Sequence, residues 1–441
     1  MGDTKIKFFK NVSWLMGGQL INMVLQFIVS LATARYLGPS NYGTINYVSA
    51  YISFFSSVAS LGLAVVVIKE ISSGVEDENE IIWTSIFMRL TIAFLSAISV
   101  IGLMFVLNPN NKIIVLIAIL QSLSILFSAF DTANYWFQAK LLSKYTSISS
   151  LVAYIGMSIY RIYLLAHNAN ILWFAFSFSV DCILLAALLM LFYIKKVGFH
   201  PIFSKKLCKS LLIQSYHYMI AGLITIIYSQ MDRVLLGTML NKNAVGLYSA
   251  ALTITTLWGI IPTAFIQSAS TILFKAANQN KILFMQRLKQ VYAIILWLNI
   301  VYSIGVSIFA ELIIRISFGK DYSAAESTLI IVVWYYGISC LSSVTQVYLS
   351  SEGKNKYINK FCIAGVIFNF ILNWLLIPVY GILGSAIATL LTHILIQIVM
   401  PVFYKETREV GITIIKAIFL RDIFDEKLKK YIFSSFKKFK K

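Results

Sequence analysis

Arg35-Tyr36-Leu37-Gly38-Pro39-Ser40-Asn41-Tyr42-Gly43 leads into an apolar run that closes on Leu61-Gly62-Leu63, and roughly two hundred residues later the phrase returns. There Asp232-Arg233-Val234-Leu235-Leu236-Gly237 leads through Asn241-Lys242-Asn243-Ala244-Val245-Gly246 into Leu247-Tyr248-Ser249-Ala250. In both copies the expected unit is a helix hairpin: an apolar helix ends on a charged residue, a Leu-Gly pair breaks it, a polar turn follows, and a second apolar helix starts just after glycine. A second echo joins Trp136-Phe137-Gln138-Ala139-Lys140-Leu141-Leu142-Ser143-Lys144-Tyr145 to the stretch from Val347 to Tyr357. The two matches run from 43 to 246 and from 145 to 357, so their offsets are similar and a whole half of the chain is repeated. Repetition on this scale belongs to proteins assembled from two related bundles.

Composition decides the solvent. Of the 441 residues 59% are hydrophobic and only 12% charged, with a mean hydropathy of +0.80. A soluble domain carries about 25% charged residues, so this chain reads as a polytopic membrane protein. Twelve apolar segments are expected, at 13–34, 45–68, 81–106, 113–136, 145–166, 170–194, 211–236, 246–273, 290–314, 326–350, 357–378 and 381–404. All are expected to be helices, because lipid satisfies no backbone group and nothing here alternates with a barrel period. The basic N-terminus resembles a signal peptide, but its apolar run is too long and lacks a small-residue cleavage site. The net charge of +19 is orientation signal, not a nucleic-acid groove. With the N-terminus inside, 29 of the 37 Lys and Arg fall in cytoplasmic segments, which supports twelve spans with both ends in the cytoplasm.

The expected fold is therefore an all-α membrane protein: twelve transmembrane helices in two parallel-repeat six-helix bundles. An even number of spans per half excludes inverted repeats. The halves are 1–194 and 211–404, joined by a lysine-rich cytoplasmic linker at 195–210, and a basic tail occupies 405–441. From Gly411 the tail's apolar residues recur at helical spacing beside nine Lys or Arg, which suggests an amphipathic helix on the anionic inner leaflet. A partly disordered, solubilising tail is the bland alternative.

No enzyme constellation is present in the sequence. His167, His200, His217 and His393 are scattered, Cys182, Cys208, Cys340 and Cys362 form no metal or disulfide framework, and no phosphate loop occurs. No catalytic residue, metal or cofactor is assigned. Charge within spans stands out instead, since each such residue costs about 2.5–3.5 kcal/mol on insertion scales. Arg89 lies some eight residues into its expected span, roughly 12 Å deep, where a cavity-facing position competes with snorkelling. Asp181 is deeper and cannot snorkel, so it is either an ion-coupling or gating carboxylate or a neutral acid in a packing hydrogen bond. Arg35, Arg161, Asp131, Asp232 and Arg233 lie near span ends. The arginines are candidate substrate-binding residues and Asp131 and Asp232 candidate ion-coupling or gating groups, with cheap snorkelling as the alternative. Gln19, Asn22 and Gln26, and Asn369 with Asn373, are expected chiefly as interhelical hydrogen bonds.

Together these features resemble the Wzx-type polysaccharide flippases of the multidrug/oligosaccharidyl-lipid/polysaccharide (MOP) exporter superfamily. The resemblance spans nearly the whole chain and is carried by residues 35–43, Leu61-Gly62-Leu63, Met231-Asp232-Arg233-Val234-Leu235-Leu236-Gly237 and the stretch from Pro378 to Thr389. It implies a MATE-like fold, localisation in the bacterial inner membrane, and alternating access that carries an undecaprenyl-diphosphate-linked oligosaccharide from the inner to the outer leaflet. It also implies membrane lipids and a polysaccharide polymerase or chain-length regulator as partners. Lipid II flippases look similar but usually carry two more spans. Two alternatives remain: a cation-coupled multidrug exporter, which would want carboxylates in its cavity, and a membrane glycan polymerase, which a long external loop would favour.

Overall fold

The computed structural model describes residues 2–74 and 76–418, with side chains from Ile21, and among these residues all regular structure is helical. Eleven helical stretches are long and apolar enough to cross a bilayer, but the first, Ile21–Ser73, has 53 residues. That is about 80 Å of helix against a hydrocarbon layer of roughly 30 Å, so it must cross twice. The chain turns back inside α1 (Gly2–Ser60) at Gly38, whose φ of 69° and ψ of 167° suit a residue without Cβ. Pro39 follows, where a new helix begins and its missing N–H costs nothing. Side chains record the reversal. The Ser30 hydroxyl lies 3.2 Å from that of Tyr42. Gln26 and Asn46, which a straight helix would hold about 30 Å apart, line one cavity. Twelve crossings result.

The second crossing is completed by α2 (Leu63–Ser73) and the third is α3 (Glu78–Leu107). The fourth comprises α4 (Lys112–Ser128), a single 3-10 turn at Ala129–Asp131, and α5 (Thr132–Ala139); α6 (Ser143–Ala166) and α7 (Ile171–Val197) complete the first half. In the second half α8 (Lys205–Met239) precedes an eighth crossing made of α9 (Lys242–Trp258) and α10 (Ile260–Gln279). Then come α11 (Lys281–Ile308), a short α12 (Ala310–Ser317), and a tenth crossing split into α13 (Glu326–Ser339) and α14 (Leu341–Ser351). The last two crossings are α15 (Lys356–Tyr380) and α16 (Ile382–Ile394) with α17 (Met400–Phe403), and α18 (Arg408–Ile418) follows. Interruptions thus fall in the second and eighth crossings and in the fourth and tenth, while a further one, the π turn Leu395–Val399 of the twelfth, has no counterpart in the unbroken sixth. The repeat is written in the helix breaks as well as in the sequence.

Two expected boundaries move. Leu236-Gly237 does not break its helix; α8 runs on to Met239, and the turn comes at Asn241, whose side chain caps the Ala244 amide at 2.9 Å. Gly237 is small for another reason: a Cβ there would run into the Tyr47 ring. The expected span 290–314 is displaced, because α11 already begins at Lys281 and stops at Ile308. Apolar windows locate lipid, whereas this helix continues past it on charged residues.

Packing divides the described residues into two compact units, one running up to Ser249 together with Ser317–Asp321, the other comprising Ala250–Ile316 and the chain from Tyr322. In the first, α1 packs on α6 and α8, and α4 on α7. Its apolar core gathers Ile82, Trp83, Ile86, Trp136, Phe137 and Tyr193. By packing, α8 stands with this unit, since α1, α2 and α3 hold it. In the second unit α10 and α13 pack on α11, and α15 on α16. Leu288, Tyr292, Val344 and Tyr348 form part of its core, and Val410 and Ile414 of α18 are buried among them. In the described part of the tail Val410, Ile414 and Ala417 dock on protein, while Ile415 of the expected apolar line is exposed. The rest of the expected surface helix lies outside the described residues.

Candidate functional site

Polar groups from three helices of the first unit line a cavity of about 190 Å³. From α1 come Gln26, Ser30, Thr33, Tyr42 and Asn46, from α6 Tyr154 and Arg161, and from α7 Ser177 and Asp181. Helical spacing explains the set: 26, 30 and 33 share one face of α1, and 177 and 181 one face of α7. Arg161 is 8% exposed. Its Nε donates to Ser177 Oγ at 2.7 Å, and its guanidinium stands 5.1 Å from the Phe178 ring centroid. Asp181 lies within electrostatic range of Arg161. A hydrated ion, a proton-carrying water chain or a small anionic group suits a lining of this kind.

Arg89 does not line this cavity. It is 4% exposed and is held by the break in the fourth crossing, where its Nη1 donates to Thr132 Oγ1 at 3.0 Å and to the Tyr135 hydroxyl at 3.5 Å. The 3-10 turn brings Asp131 to the same place, within electrostatic range of both Arg89 and Asp181. The buried Arg89 and Arg161 thus have the half-buried Asp131 and Asp181 within electrostatic range. The second half has no such charge at the matching level. Tyr292 stands twelve residues past the N-cap Asn280, as Arg89 stands twelve past Asp77, and it is 2.9 Å from Thr345. A neutral hydroxyl pair thus occupies the place of Arg89 and Thr132.

Residues 8–272 match the family described as polysaccharide biosynthesis protein. The chain belongs to that family. Residues 218–375 also match the family described as MatE. The "Putative O-antigen transporter" of Escherichia coli (strain K12) is 20% identical over 415 residues, spanning 92% of this chain and 99% of that one. The capsular polysaccharide biosynthesis protein CapF of Staphylococcus aureus is 22% identical over 409 residues, or 90% of this chain and 99% of that one. Among solved structures, the inward closed conformation of the lipid II flippase MurJ shares the fold, with a TM-score of 0.70 at 17% identity and 93% coverage of each chain.

The remaining charged candidates of this family member stand apart from the cavity. Arg35 is exposed at the end of the first crossing, beside Gly319. Asp232 is 8% exposed and accepts a hydrogen bond from the Tyr248 hydroxyl, while Arg233 Nη1 donates to Gln230 Oε1 at 2.8 Å. Asn22 donates to Ser150 Oγ at 2.7 Å, and Asn369 to Thr389 Oγ1 at 3.0 Å, both links between helices. Sequence reasoning missed Tyr42, Tyr154, Ser30 and Thr33. The signal for two of them was present: the polar stripe that begins at Gln19, Asn22 and Gln26 continues through Ser30 and Thr33 at the same spacing.

Proposed function

We propose that this member of the polysaccharide biosynthesis family is a flippase that moves a lipid-linked oligosaccharide, of the undecaprenyl-diphosphate class, from the inner to the outer leaflet of a bacterial cytoplasmic membrane. The observation that carries the reading is the family match over residues 8–272, supported by full-length relatedness to a protein named as an O-antigen transporter. The physics is coherent with it. A diphosphate cannot cross hydrocarbon unaided, guanidinium groups pair with it bidentately, and an inside-negative potential favours outward movement of an anion by about 2.3 kcal/mol per charge per 100 mV. The moving parts are the sequence halves 1–194 and 211–404. Arg161, with Arg35 and Arg233 nearer the span ends, supplies cation for the headgroup. Asp181 and Asp131 are the groups able to take up a proton or a cation, since arginine stays charged. Asp232 is a candidate gating carboxylate through Tyr248. Arg89, committed to Thr132 and Tyr135, is a positioning residue.

The MatE match keeps one rival in view, an exporter of organic cations. Purified protein in liposomes loaded with a fluorescent undecaprenyl-diphosphate oligosaccharide separates the two. Leaflet-specific quenching should report translocation. Absence of movement together with gradient-driven uptake of an organic cation would replace the flippase with the exporter.

A further inference from the structure

The repeated phrase touches itself. A Cβ on Gly43 would overlap the Lys242 carbonyl and the Gly246 amide, and a Cβ on Gly246 would overlap the Pro39 carbonyl. With the copies offset by 203 residues, 39 corresponds to 242 and 43 to 246, so each contact is the image of the other. This is the self-complementary geometry of a two-fold interface, made here within one chain. Backbone approaches this close are open only to residues without side chains, which gives the recurrence of glycine at both positions a physical cause. One feature breaks the symmetry. The Tyr47 ring, 1% exposed, lies against Gly237 of α8, and the Lys242 ammonium stands 3.1 Å from the centroid of that ring while donating to the Gly237 carbonyl at 2.8 Å. The residue matching Lys242 in the first copy is Pro39, and that matching Tyr47 is Ala250, so the cation–aromatic contact exists once.

We propose that the two copies of the phrase form a latch, closed in this structure, and that Lys242 seated on Tyr47 is its bolt. The proposal rests on the reading of the chain as a transporter, whose helices must part at this end to open it. Backbone laid on glycine separates without unthreading interlocked side chains, so the latch can reopen repeatedly, while the single ammonium on a buried ring holds the closed state. A methyl group at Gly43 or Gly246 denies closure, and loss of the Lys242 ammonium loosens it.

The test follows the thiol of Val245→Cys, at a position 0% exposed when the latch is closed, in a chain whose Cys182, Cys208, Cys340 and Cys362 are replaced by alanine. Reaction with a membrane-impermeant maleimide is timed on intact cells and on inverted vesicles, so that either sidedness reads out. Gly246→Ala should raise the rate on one side about tenfold, equivalent to about 1.4 kcal/mol of lost closure, with unchanged protein level. Lys242→Met, which adds no bulk at the glycine contact, should raise it on the same side by a smaller factor. Unchanged labelling in both variants overturns the latch, and where Gly246→Ala does not accumulate, unchanged labelling in Lys242→Met overturns it alone. Labelling needs no cargo. Faster labelling in a protein that moves no lipid-linked glycan would uphold the latch and reject the flippase, whereas unchanged labelling in an active flippase rejects the latch only.

Discussion

Arg89 and Arg161 are both buried guanidinium groups in the first unit, yet their surroundings assign them different work. Arg89 gives one nitrogen, Nη1, to Thr132 and Tyr135 and has Asp131 within electrostatic range. Arg89→Gln, which removes the cation facing Asp131, should lower thermal stability in detergent by a few kcal/mol, and Arg89→Lys, which keeps the charge but not the position of Nη1, by less. The coupling is measurable: Arg89→Gln with Asp131→Asn should be less destabilised than the sum of the single changes, by about 0.5–3 kcal/mol. Strict additivity would mean that Asp131 takes its compensation elsewhere. Arg161 and Asp181 instead line a cavity, and there the expectation concerns coupling rather than stability. In liposomes Asp181→Asn should retain slow downhill flipping and lose acceleration by an imposed proton or sodium gradient; undiminished acceleration would remove Asp181 from the coupling role. The charges were legible in sequence because lipid makes them expensive. Their grouping was not, since Arg89 meets Asp131 only through a helix break at Ala129–Asp131 that no glycine or proline marks.

At the scale of an element, α18 shows what periodicity reveals and what it leaves open. Apolar spacing in the tail identified a helix with an apolar face, but not what covers that face. Protein covers Val410, Ile414 and Ala417, each at most 1% exposed within the second unit, whereas Ile415, on the line the spacing marked, is 38% exposed. Lys281 reaches Glu409 at 3.0 Å and Lys356 reaches Glu406 at 3.3 Å, but these exposed pairs contribute little beside the apolar burial. Burying one Val or Ile side chain is worth about 1.5–3 kcal/mol, so ending the chain after Thr407 should cost several kcal/mol, seen as a lower melting temperature and less folded protein. Ending it after Ile418 keeps the docked helix and should leave the melt unchanged. Equal melts for the two truncations would show that docking adds no stability. The Tyr357 hydroxyl, and after it Lys356, hold the Glu406 carboxyl below its ordinary value. A lowered pKa in the docked state means that this contribution is present at neutral pH and fades as pH falls through the lowered value. Proteolysis of the tail should therefore quicken in acid, not in base.

For the whole molecule, the alternation of basic loops and the repeated phrase made twelve crossings and two halves readable, because lipid imposes both length and charge asymmetry on every span. The packing units were not readable, since α8 belongs to the second half by sequence and to the first unit by the helices that hold it. Topology depends on one residue. If α1 ran straight through Gly38, the eleven apolar stretches would be eleven crossings and the two ends of the chain would face opposite sides. The reversal at Gly38 makes the number twelve, and for an even number both ends are expected on one side. The basic residues say which side that is, since Lys195, Lys196, Lys205, Lys206 and Lys209 all lie between α7 and the first turns of α8, where a cytoplasmic segment is expected. Alkaline phosphatase, active only after export, should accordingly be active when fused after Ser40, and inactive after Lys205 or Lys441. A cytoplasmic fluorescent reporter should give the complementary pattern. Phosphatase activity after both Lys205 and Lys441 with none after Ser40 would overturn this topology, and a fluorescent reporter placed ahead of Met1 would then separate a straight α1 with eleven crossings (bright) from an inverted arrangement of twelve (dark), the latter reversing the direction in which the headgroup must travel.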